Sequence, residues 1–476
     1  MNHRHVLFGT AALIGVSVFI GRFAAVAQPR DEGGAAATTG PDVIVGALPN
    51  ISKYGTVSGI SAYAIGTTSC NLGDQILLWC DTNVAGLCDK NDHPVIGQNM
   101  YRLKDGRLEM IGMSWLKHGF CALAETLCGV CTFDPYGCDA LGIGCSDPYD
   151  STLNGSQGSL GPRSQVNPST GDFPYPFSAP AAPPTIGRRL QVAVTDLDPA
   201  MNAGALYFGE GHYVHWQDAA AGNDNNNASY RRITVGAFTS GSYTLSLTGP
   251  TFQQSSAIHA WKDHGLGVNT PDPDVIIQDI DVAGDGRFTV AYKVTDLGGG
   301  QWHYEYAVYN MNSDRAAQSW TVPVPAGVNV TNLSEHIVNH HSGEPYSTDP
   351  WTMSEDDAGC HFATQTFAEN ANANALRWGT MFNFRFDADQ PPTAANATLA
   401  LFKDGAAPNP TVAVLGPSAP PPPPCPADLN GDGSIDGADL GIQLAGWGGP
   451  GAGDLNADGV IDGADLGILL AAWGPC

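Results

Sequence analysis

Residues 287–309 read RFTVAYKVTDLGGGQWHYEYAVY, and this stretch decides the fold class that the sequence predicts for the body of the chain. Apolar and polar residues alternate through Arg287–Val294 and again through Trp302–Tyr309. Gly298–Gly300 lie between the two segments. Period-two alternation is typical of strands that bury one face, and glycine permits the tight turn that joins neighbouring strands. The stretch therefore predicts two antiparallel strands joined by a turn.

The alternation also predicts which side chains of the second strand share a face. Tyr304 and Tyr306 fall on one face of the strand and are expected to pack inward. His303 and Glu305 fall on the opposite face and are expected to point outward. Further alternating segments follow at 318–324, 381–387 and 398–402. Residues 251–405 are therefore predicted to form an antiparallel Ig-like β-sandwich.

The preceding region, 42–250, is rich in cysteine and glycine and predicts a mainly β fold. Short apolar segments bounded by Gly, Asn, Asp or Pro are typical of strands. Eight of the 11 cysteines lie within 70–145. In an exported chain this indicates up to four local disulfides, whose pairing the spacing does not give. Cys128-x-x-Cys131 leaves a zinc site open as the alternative.

The amino terminus has the features of a secretory signal peptide. A short basic start containing Arg4 precedes the uncharged apolar run 6–21, and Ala25-Val26-Ala27 has the small-x-small pattern of a cleavage site. Residues 1–27 are therefore predicted to be a signal peptide, and the protein to be secreted or held at a cell surface. The alternative, a membrane-anchoring helix, needs a run of about 20 apolar residues. The small polar residues 28–41 are predicted to be disordered.

The net charge of −26 restricts the classes of partner. An acidic surface repels phosphate backbones and anionic lipid headgroups, so we expect neither nucleic-acid binding nor membrane insertion of the mature chain. The same surface suits a protein that binds cations.

Residues 406–424 are predicted to be a Pro/Ala linker, since 420–424 are all proline. Polyproline segments act as semi-rigid spacers. Beyond them, residues 425–476 contain one unit written twice at a spacing of 26. Counted from Asp428 and from Asp454, oxygen side chains fall at loop positions 1, 3, 5, 9 and 12, with glycine at position 6.

Hard oxygen ligands at this spacing select calcium, with the backbone carbonyl of position 7 completing each set. The candidate ligands are Asp428, Asn430, Asp432, Ser434, Asp436 and Asp439 in the first loop and Asp454, Asn456, Asp458, Val460, Asp462 and Asp465 in the second. All eight acids of 425–476 are in this set. Ile435 and Ile461, at position 8, are expected to pair the two loops. Two calcium ions are therefore predicted, and a Cys425–Cys476 disulfide is expected to help stabilise so small a unit.

A helix is predicted after each loop. Leu440, Leu444 and Trp447 are spaced at i, i+4 and i+7, and the second repeat has the same spacing at 466, 470 and 473. This duplicated loop–helix pair resembles a type I dockerin, the module that attaches secreted polysaccharide-degrading enzymes to cohesin domains. The resemblance covers 425–476 alone, and it implies a small α-helical calcium module with a cohesin-like partner. At loop positions 10 and 11, where family members usually carry hydroxyl or basic residues, this chain has Gly437-Ala438 and Gly463-Ala464.

The body offers candidate chemical groups but no complete motif. Three histidine sets are candidate metal ligands, and each is more simply explained as structural: His93 with His118, His212 with His215, and His336 with His340 and His341. Acids considered for glycoside hydrolysis are Glu210, Glu305, Glu335, Glu344 and Asp263. The sequence does not pair them.

The sequence as a whole predicts a secreted, dockerin-bearing protein that binds or processes an extracellular polysaccharide. An enzyme of this kind would be a glycoside hydrolase or a polysaccharide lyase. The alternative is a non-catalytic adhesion protein of a surface or matrix.

Overall fold

A computed structural model describes residues 38–356, 358–420 and 425–476. The first fifteen strands are β1 (Val43–Ala47), β2 (Ile51–Val57), β3 (Ile60–Ile65), β4 (Thr67–Asn71), β5 (Leu77–Leu78), β6 (Val95–Lys104), β7 (Arg107–Met113), β8 (Leu116–His118), β9 (Ala140–Leu141), β10 (Ser146–Tyr149), β11 (Leu160–Gly161), β12 (Leu190–Ala193), β13 (Leu206–Val214), β14 (Ala228–Thr239) and β15 (Ser242–Phe252).

The later strands are β16 (Ile276–Asp281), β17 (Arg287–Gly298), β18 (Gln301–Asn310), β19 (Ala317–Val322), β20 (Val330–Ile337), β21 (Thr352–Asp356), β22 (Gly359–Ala363), β23 (Thr380–Ala388), β24 (Pro392–Leu401), β25 (Thr411–Pro417), β26 (Ser434–Ile435) and β27 (Gly474–Pro475). The α-helices are α1 (Val194–Leu197), α2 (Trp216–Ala221), α3 (His259–His264), α4 (Gly437–Ala445) and α5 (Gly463–Ala471). The fold is mainly β, as the sequence predicts. Among the residues described, no helix is both long and apolar enough to span a bilayer.

The largest sheet has ten strands and follows the order β15-β14-β13-β6-β7-β12-β3-β2, with β8 and β11 attached beside β6. It curls until its first and last strands approach each other. Lys53 on β2 donates to the carbonyl of Thr239 at 2.7 Å, and Thr56 donates to that of Gly241 at 2.8 Å. The concave side is filled by a cluster of buried apolar residues that includes Tyr63, Met100 and Leu190.

Two five-stranded sheets form the β-sandwich that the alternating segments predict. The middle sheet has the order β16-β17-β18-β23-β20, and the outer sheet has the order β21-β22-β19-β24-β25. The predicted strand pair is present as β17 and β18, which run antiparallel with Val290 opposite Val308. Tyr306 points toward the outer sheet, where its ring centroid lies 5.8 Å from that of Trp320.

The opposite face of the middle sheet is not exposed, because the ten-stranded sheet covers it. Tyr309 donates to Glu210 of β13 at 3.3 Å, and Asn383 of β23 donates to the carbonyl of Leu108 at 3.0 Å. The outward orientation predicted for Glu305 is therefore wrong, since its side chain is 3% exposed. Alternation gives the face on which a side chain lies, but it does not show that a second sheet packs on that face.

The division into separate regions at 250 and 251 also differs from the structure. That boundary falls inside β15, and one hydrophobic core joins all three sheets. Tyr101 and Phe208 of the ten-stranded sheet belong to the same buried cluster as Phe384 of the middle sheet and Trp320 of the outer sheet. The described body is therefore a three-layer β structure with a shared core.

A chain of alternating charges crosses the interface between the ten-stranded and middle sheets. We call it the ion chain, and its members are Asp196, Arg102, Glu109, Arg385, Glu305, Arg107, His303 and Asp387. Two arginine–glutamate ion pairs join the sheets directly, and His336 of β20 lies 3.9 Å from Glu109 of β7. Glu109 lies 3.0 Å from Arg385, and Arg107 lies 3.1 Å from Glu305. His303 ends the chain between Glu305 at 3.3 Å and Asp387 at 2.5 Å.

Four disulfides fasten the cysteine-rich part of the first region. They are Cys70–Cys128, Cys80–Cys88, Cys121–Cys138 and Cys131–Cys145. Cys128 and Cys131 bond to different partners, so the structure has the disulfides rather than the zinc alternative. Cys360 is buried and free. Disulfides at this density are typical of proteins outside the reducing cytoplasm.

The segments flanking the body are partly ordered, unlike the prediction. The signal peptide assigned to 1–27 lies outside the described residues, as do 28–37. Of the segment 28–41, Thr38 bonds to the carbonyl of Leu72 and Gly40 to the carboxylate of Asp74, so 38–41 are held in place. Of the predicted linker, 411–417 form β25. Its alternating Val412 and Val414 are buried, and the proline-rich composition around them hid this strand pattern.

The ion chain predicts that neutralising Glu109 destabilises the protein. Burial alone would raise the pKa of Glu109, but His336, Arg102 and Arg385 together lower it to about 2. We expect Glu109→Gln to reduce the free energy of unfolding by about 3 kcal/mol at neutral pH, because both arginines lose a buried partner. Because the folded pKa is depressed, this contribution is present above the unfolded value of 4.5 and is lost as the pH falls toward about 2. Denaturant unfolding across pH measures it.

The matched control for this measurement is Asp105→Asn, at the exposed turn between β6 and β7. Its side chain is 77% exposed and lies 3.8 Å from Lys104, so its removal is expected to change the free energy of unfolding by less than about 1 kcal/mol. Equal effects of the two substitutions would contradict the importance of the ion chain.

Candidate functional site

The two C-terminal repeats form one unit in which each loop pairs with the other repeat. Ile435 of the first loop pairs with Gly474, which follows α5. Ile461 of the second loop exchanges two backbone hydrogen bonds, both 2.9 Å, with Gly448 and Gly449, which follow α4. The direct pairing expected between Ile435 and Ile461 is therefore replaced by a crosswise one. Both side chains are buried all the same.

A disulfide joins Cys425 to Cys476 and so connects the two ends of the unit. Its small core contains Ala427, Ile435 and Leu469. Chain-entropy arguments give about 4 kcal/mol for closing a loop of this length. Core burial alone rarely stabilises a unit of this size, so the disulfide carries a large share of its stability.

The carboxylates of the first loop bind its backbone amides. Asp428 Oδ1 accepts from the amide of Gly431 at 2.8 Å, and Asp428 Oδ2 accepts from that of Gly433 at 2.9 Å. Asp432 accepts from the amide of Ser434 at 3.0 Å. These bonds draw the chain around the carboxylates in the tight turn for which the sequence places glycine at position 6. Gly433 has a φ of +88°, which side chains disfavour.

The second loop repeats this geometry. Asp454 accepts from the amide of Gly459 at 2.8 Å, and Asp458 accepts from that of Val460 at 3.0 Å. Asn456, like Asn430, accepts from the amide two residues later at 2.9 Å. The two loops differ in sequence only at Gly431/Ala457 and Ser434/Val460, and the oxygen side chains that they share make corresponding bonds.

Asp439 and Asp465, at position 12, are fully buried and link each loop to its helix. Asp439 Oδ1 accepts from the amides of Leu429 and Asn430, and its Oδ2 accepts from that of Asp436 at 2.9 Å. Asp465 makes the corresponding bonds. Each Asp also completes a capping box at the start of its helix. The hydrogen bond from the amide of Asp436 is the largest cause of the lowered pKa of Asp439, which therefore favours the ionised carboxylate.

The donor set of each loop fits a hard cation such as calcium. Every side-chain ligand is a carboxylate or amide oxygen, and the unit contains no nitrogen or sulfur donor other than the disulfide cysteines. A carboxylate oxygen that accepts one hydrogen bond retains acceptor capacity for a metal. Across the described residues, the side chains as placed form no group of three or more His, Cys, Asp and Glu that could hold a metal ion. Calcium would therefore require the carboxylates of positions 1, 5 and 9 to turn toward a common centre.

Apolar side chains at the end of each helix are exposed, together with the tryptophan two residues beyond it; α4 and α5 end at Ala445 and Ala471, before the tryptophans that the spacing placed on them. The inner sides of the helices carry Asp439, Gln443, Asp465 and Leu469, all fully buried. Leu444 and Trp447 are 49% and 48% exposed, and Leu470 and Trp473 are 51% and 49% exposed. We call these four residues the apolar helix faces. Each repeat thus leaves one leucine and one tryptophan about half exposed, and such side chains are available for burial by a partner protein.

One difference between the repeats predicts a stability change. Ala457 has a φ of +59°, whereas its counterpart Gly431 has a φ of +73° and an open space where a side chain would point. We expect Ala457→Gly to stabilise the second loop by about 1 kcal/mol and Gly431→Ala to destabilise the first by a similar amount, because a left-handed conformation is costly for alanine. Thermal unfolding of residues 425–476 measures both. If the two substitutions have the same sign, this explanation fails.

The histidines of the body that the sequence suggested as ligands are buried, apart from His336, which is partly exposed and has its Nε2 3.0 Å from the carbonyl oxygen of Met110. His93 donates from Nδ1 to the carbonyl of Cys80 at 2.6 Å, so its Nε2 accepts from Nδ1 of His118 at 2.9 Å. Burial lowers the pKa of His93 to about 4 and that of His118 to about 3. The nitrogens that face each other are thus used in a hydrogen bond between neutral rings. Burial also lowers the pKa values of His212, His215, His340 and His341.

The acids considered for hydrolysis lie in separate environments. Glu210 is fully buried and accepts from Asn99 at 2.7 Å, and Glu344 accepts from the amide of Arg163 at 2.7 Å. Asp263 accepts from Tyr230, while Glu305 belongs to the ion chain. Burial raises the pKa of Glu335 to about 7, so this carboxyl keeps its proton close to neutrality.

A cleft of about 430 Å³ lies where β7 and β12 meet the segment that follows β20, with Met110, Ile111 and Ile337 among its apolar lining. We call it the polar cleft after its remaining side chains. His336, His340 and His341 all line this cleft. The sequence suggested them as metal ligands and did not predict a cavity. The other polar residues of the cleft are Gln191, Asp196, Asn339, Ser342 and Thr348. Amide, imidazole and hydroxyl groups of this kind can bond to the hydroxyls of a neutral ligand.

Comparisons with known proteins do not assign the chain to a family. No protein-family model matches it, and no curated protein sequence matches it significantly.

Proposed function

We propose that this chain is a secreted protein whose C-terminal unit, residues 425–476, is a calcium-dependent docking module. The module attaches the β body to a cohesin-like partner protein or to a cell surface. The observation that carries the proposal is the corresponding arrangement of the two loops, in which the oxygen donors expected of a calcium site bind matching backbone amides. The resemblance of the same residues to a type I dockerin supports it, as do the five disulfides.

The apolar helix faces support a protein partner for this module. Positions 10 and 11 of each loop carry Gly and Ala, so polar contacts from these side chains are not available. Residues 425–476 contain no basic residue either. Binding would therefore depend on burial of Leu444, Trp447, Leu470 and Trp473, and aromatic residues of this kind contribute most to interface affinity.

For the body, we propose binding of an extracellular polysaccharide in the polar cleft beside β20. The cleft is open, Asp196 is its one carboxylate, and the exposed amide of Asn339 is available to bond to sugar hydroxyls. One possibility within this proposal is that the body also cleaves the polymer, as a glycoside hydrolase or a polysaccharide lyase. Non-catalytic adhesion is the alternative, and the engagement of Glu210, Glu305 and Glu344 in separate hydrogen bonds and ion pairs favours it.

Calcium is expected to order the docking module and to enable partner binding. Residues 425–476 should gain helical circular dichroism on addition of calcium, since removal of the ion leaves eight carboxylates repelling one another. The calcium-loaded module should bind an immobilised type I cohesin domain, and a chelator should release it. An unchanged dichroism spectrum would dispose of the calcium claim.

A paired variant separates folding from docking in that experiment. Trp447→Ala with Trp473→Ala removes half-exposed rings and is expected to retain the calcium-induced dichroism but to lose cohesin binding. Binding that survives this change would show that the apolar helix faces are not the docking surface.

The body proposal is tested with the fragment 28–420, which retains β25, on a panel of soluble and insoluble polysaccharides. We expect retention on at least one neutral polymer, weakened about tenfold by Asn339→Ala in the polar cleft. Asn329→Ala, an exposed site outside the cleft, is the matched control. Release of soluble sugars would favour the enzyme, whereas retention without release would favour adhesion. Equal binding by the two variants would place the polymer elsewhere.

A further inference from the structure

A buried polar cluster lies where the start of β1, α2 and the loop 222–227 meet. Asp42 and Asp218 are both fully buried there. Asp218 accepts from the amide of Val43 at 3.0 Å and from Nδ2 of Asn227 at 2.6 Å. Asn226 places its own Nδ2 3.3 and 3.4 Å from the two carboxylate oxygens of Asp42. Asp42 and Val43 on one side and Asn226 and Asn227 on the other thus hold the two carboxylates in one hydrogen-bonded cluster.

These carboxylates have no cationic partner among the described residues. Neither Asp42 nor Asp218 takes part in an ion pair there, whereas Glu109 and Glu305 of the ion chain take part in three each. Burying two like charges side by side is costly unless a cation or a proton neutralises them.

Two unpaired oxygens accompany the carboxylates. Asn227 is 1% exposed, and its Oδ1 has no hydrogen-bond partner. Oδ1 of Asn226 is also buried without a partner. Each belongs to an amide that lies against one of the carboxylates, and a half-turn of the amide exchanges its nitrogen and oxygen. The cluster therefore has an excess of oxygen acceptors, which a protonated carboxyl, with one donor, does not satisfy.

We propose that Asp42, Asp218, Asn226 and Asn227 form a buried site for a hard divalent cation, with calcium as the natural occupant. Two carboxylates balance the charge of one such ion, and amide and carboxylate oxygens are the ligands that it prefers. The hydroxyl of Thr38, which bonds to Asp42, lies at the same place and is a further oxygen donor.

The ion would connect three separate segments of the first region. It would hold the start of β1 to α2 and to the loop 222–227. The loop in turn contacts the middle-sheet side of the body, because Asn312 donates to Asp224 at 2.7 Å. This site differs from the C-terminal loops in being buried and formed by residues distant in sequence. Occupancy would therefore stabilise the body itself and would not depend on the docking module.

Calcium stoichiometry in the full chain tests the proposal. The background variant carries Asp428→Ala, Asp432→Ala, Asp454→Ala and Asp458→Ala, which remove the loop carboxylates of positions 1 and 5. After treatment with a chelator, this variant is expected to bind about one calcium ion in equilibrium dialysis. Addition of Asp42→Asn and Asp218→Asn should abolish that binding, and calcium should then no longer raise the thermal midpoint. Both substitutions keep the size of the side chain, so the fold is checked by the midpoint in chelator.

Control variants separate this site from the docking module. Asp89→Asn, an exposed acid of the same region, should leave the bound ion in place. A wild-type chain that binds the same single ion as the background variant would contradict calcium binding by the module, yet would support the buried site. A background variant that binds no calcium would overturn the buried site, whatever the wild type binds.

Discussion

The ion chain between the ten-stranded and middle sheets is the interaction on which the arrangement of the body depends. Each sheet of the β-sandwich has one apolar face that packs on the other, but the second face of the middle sheet carries charged side chains. Glu305 and Arg385 are buried there because Arg107 and Glu109 of the ten-stranded sheet neutralise them. A buried charge without a partner is destabilising, so the two sheets have to meet in this register.

The same constraint explains why the body does not divide into two domains. Alternation in the sequence correctly predicted β17, β18 and β23, because period two reports local burial of one face. It did not predict that charged residues on the other face would be buried, since neutralisation depends on partners nearly 200 residues away. Arg107 and Glu305 illustrate this, because the sequence around either residue does not identify the other as its ion-pair partner.

The C-terminal unit was more predictable, since its pattern is local and duplicated. The loop positions, the glycine turn and the helices follow from residues within one repeat. The crosswise pairing of Ile435 and Ile461, and the exposure of Trp447 and Trp473, depend on how the repeats pack together. Helical spacing identifies a shared face, but it does not show whether that face is buried. The buried cluster around Asp218 was missed for a similar reason, because its residues come from three distant segments.

If the module attaches the chain as we propose, the disulfide between Cys425 and Cys476 has a mechanical consequence under tension. A force transmitted from the body reaches the module at Cys425. It then divides between the polypeptide chain and the disulfide bond to Cys476. Each repeat is then loaded from its own side. Unfolding of the loops and helices cannot lengthen the path between the two cysteines. Flow or movement that strains the attachment would therefore meet a short, covalently closed coupling in place of an extensible tether.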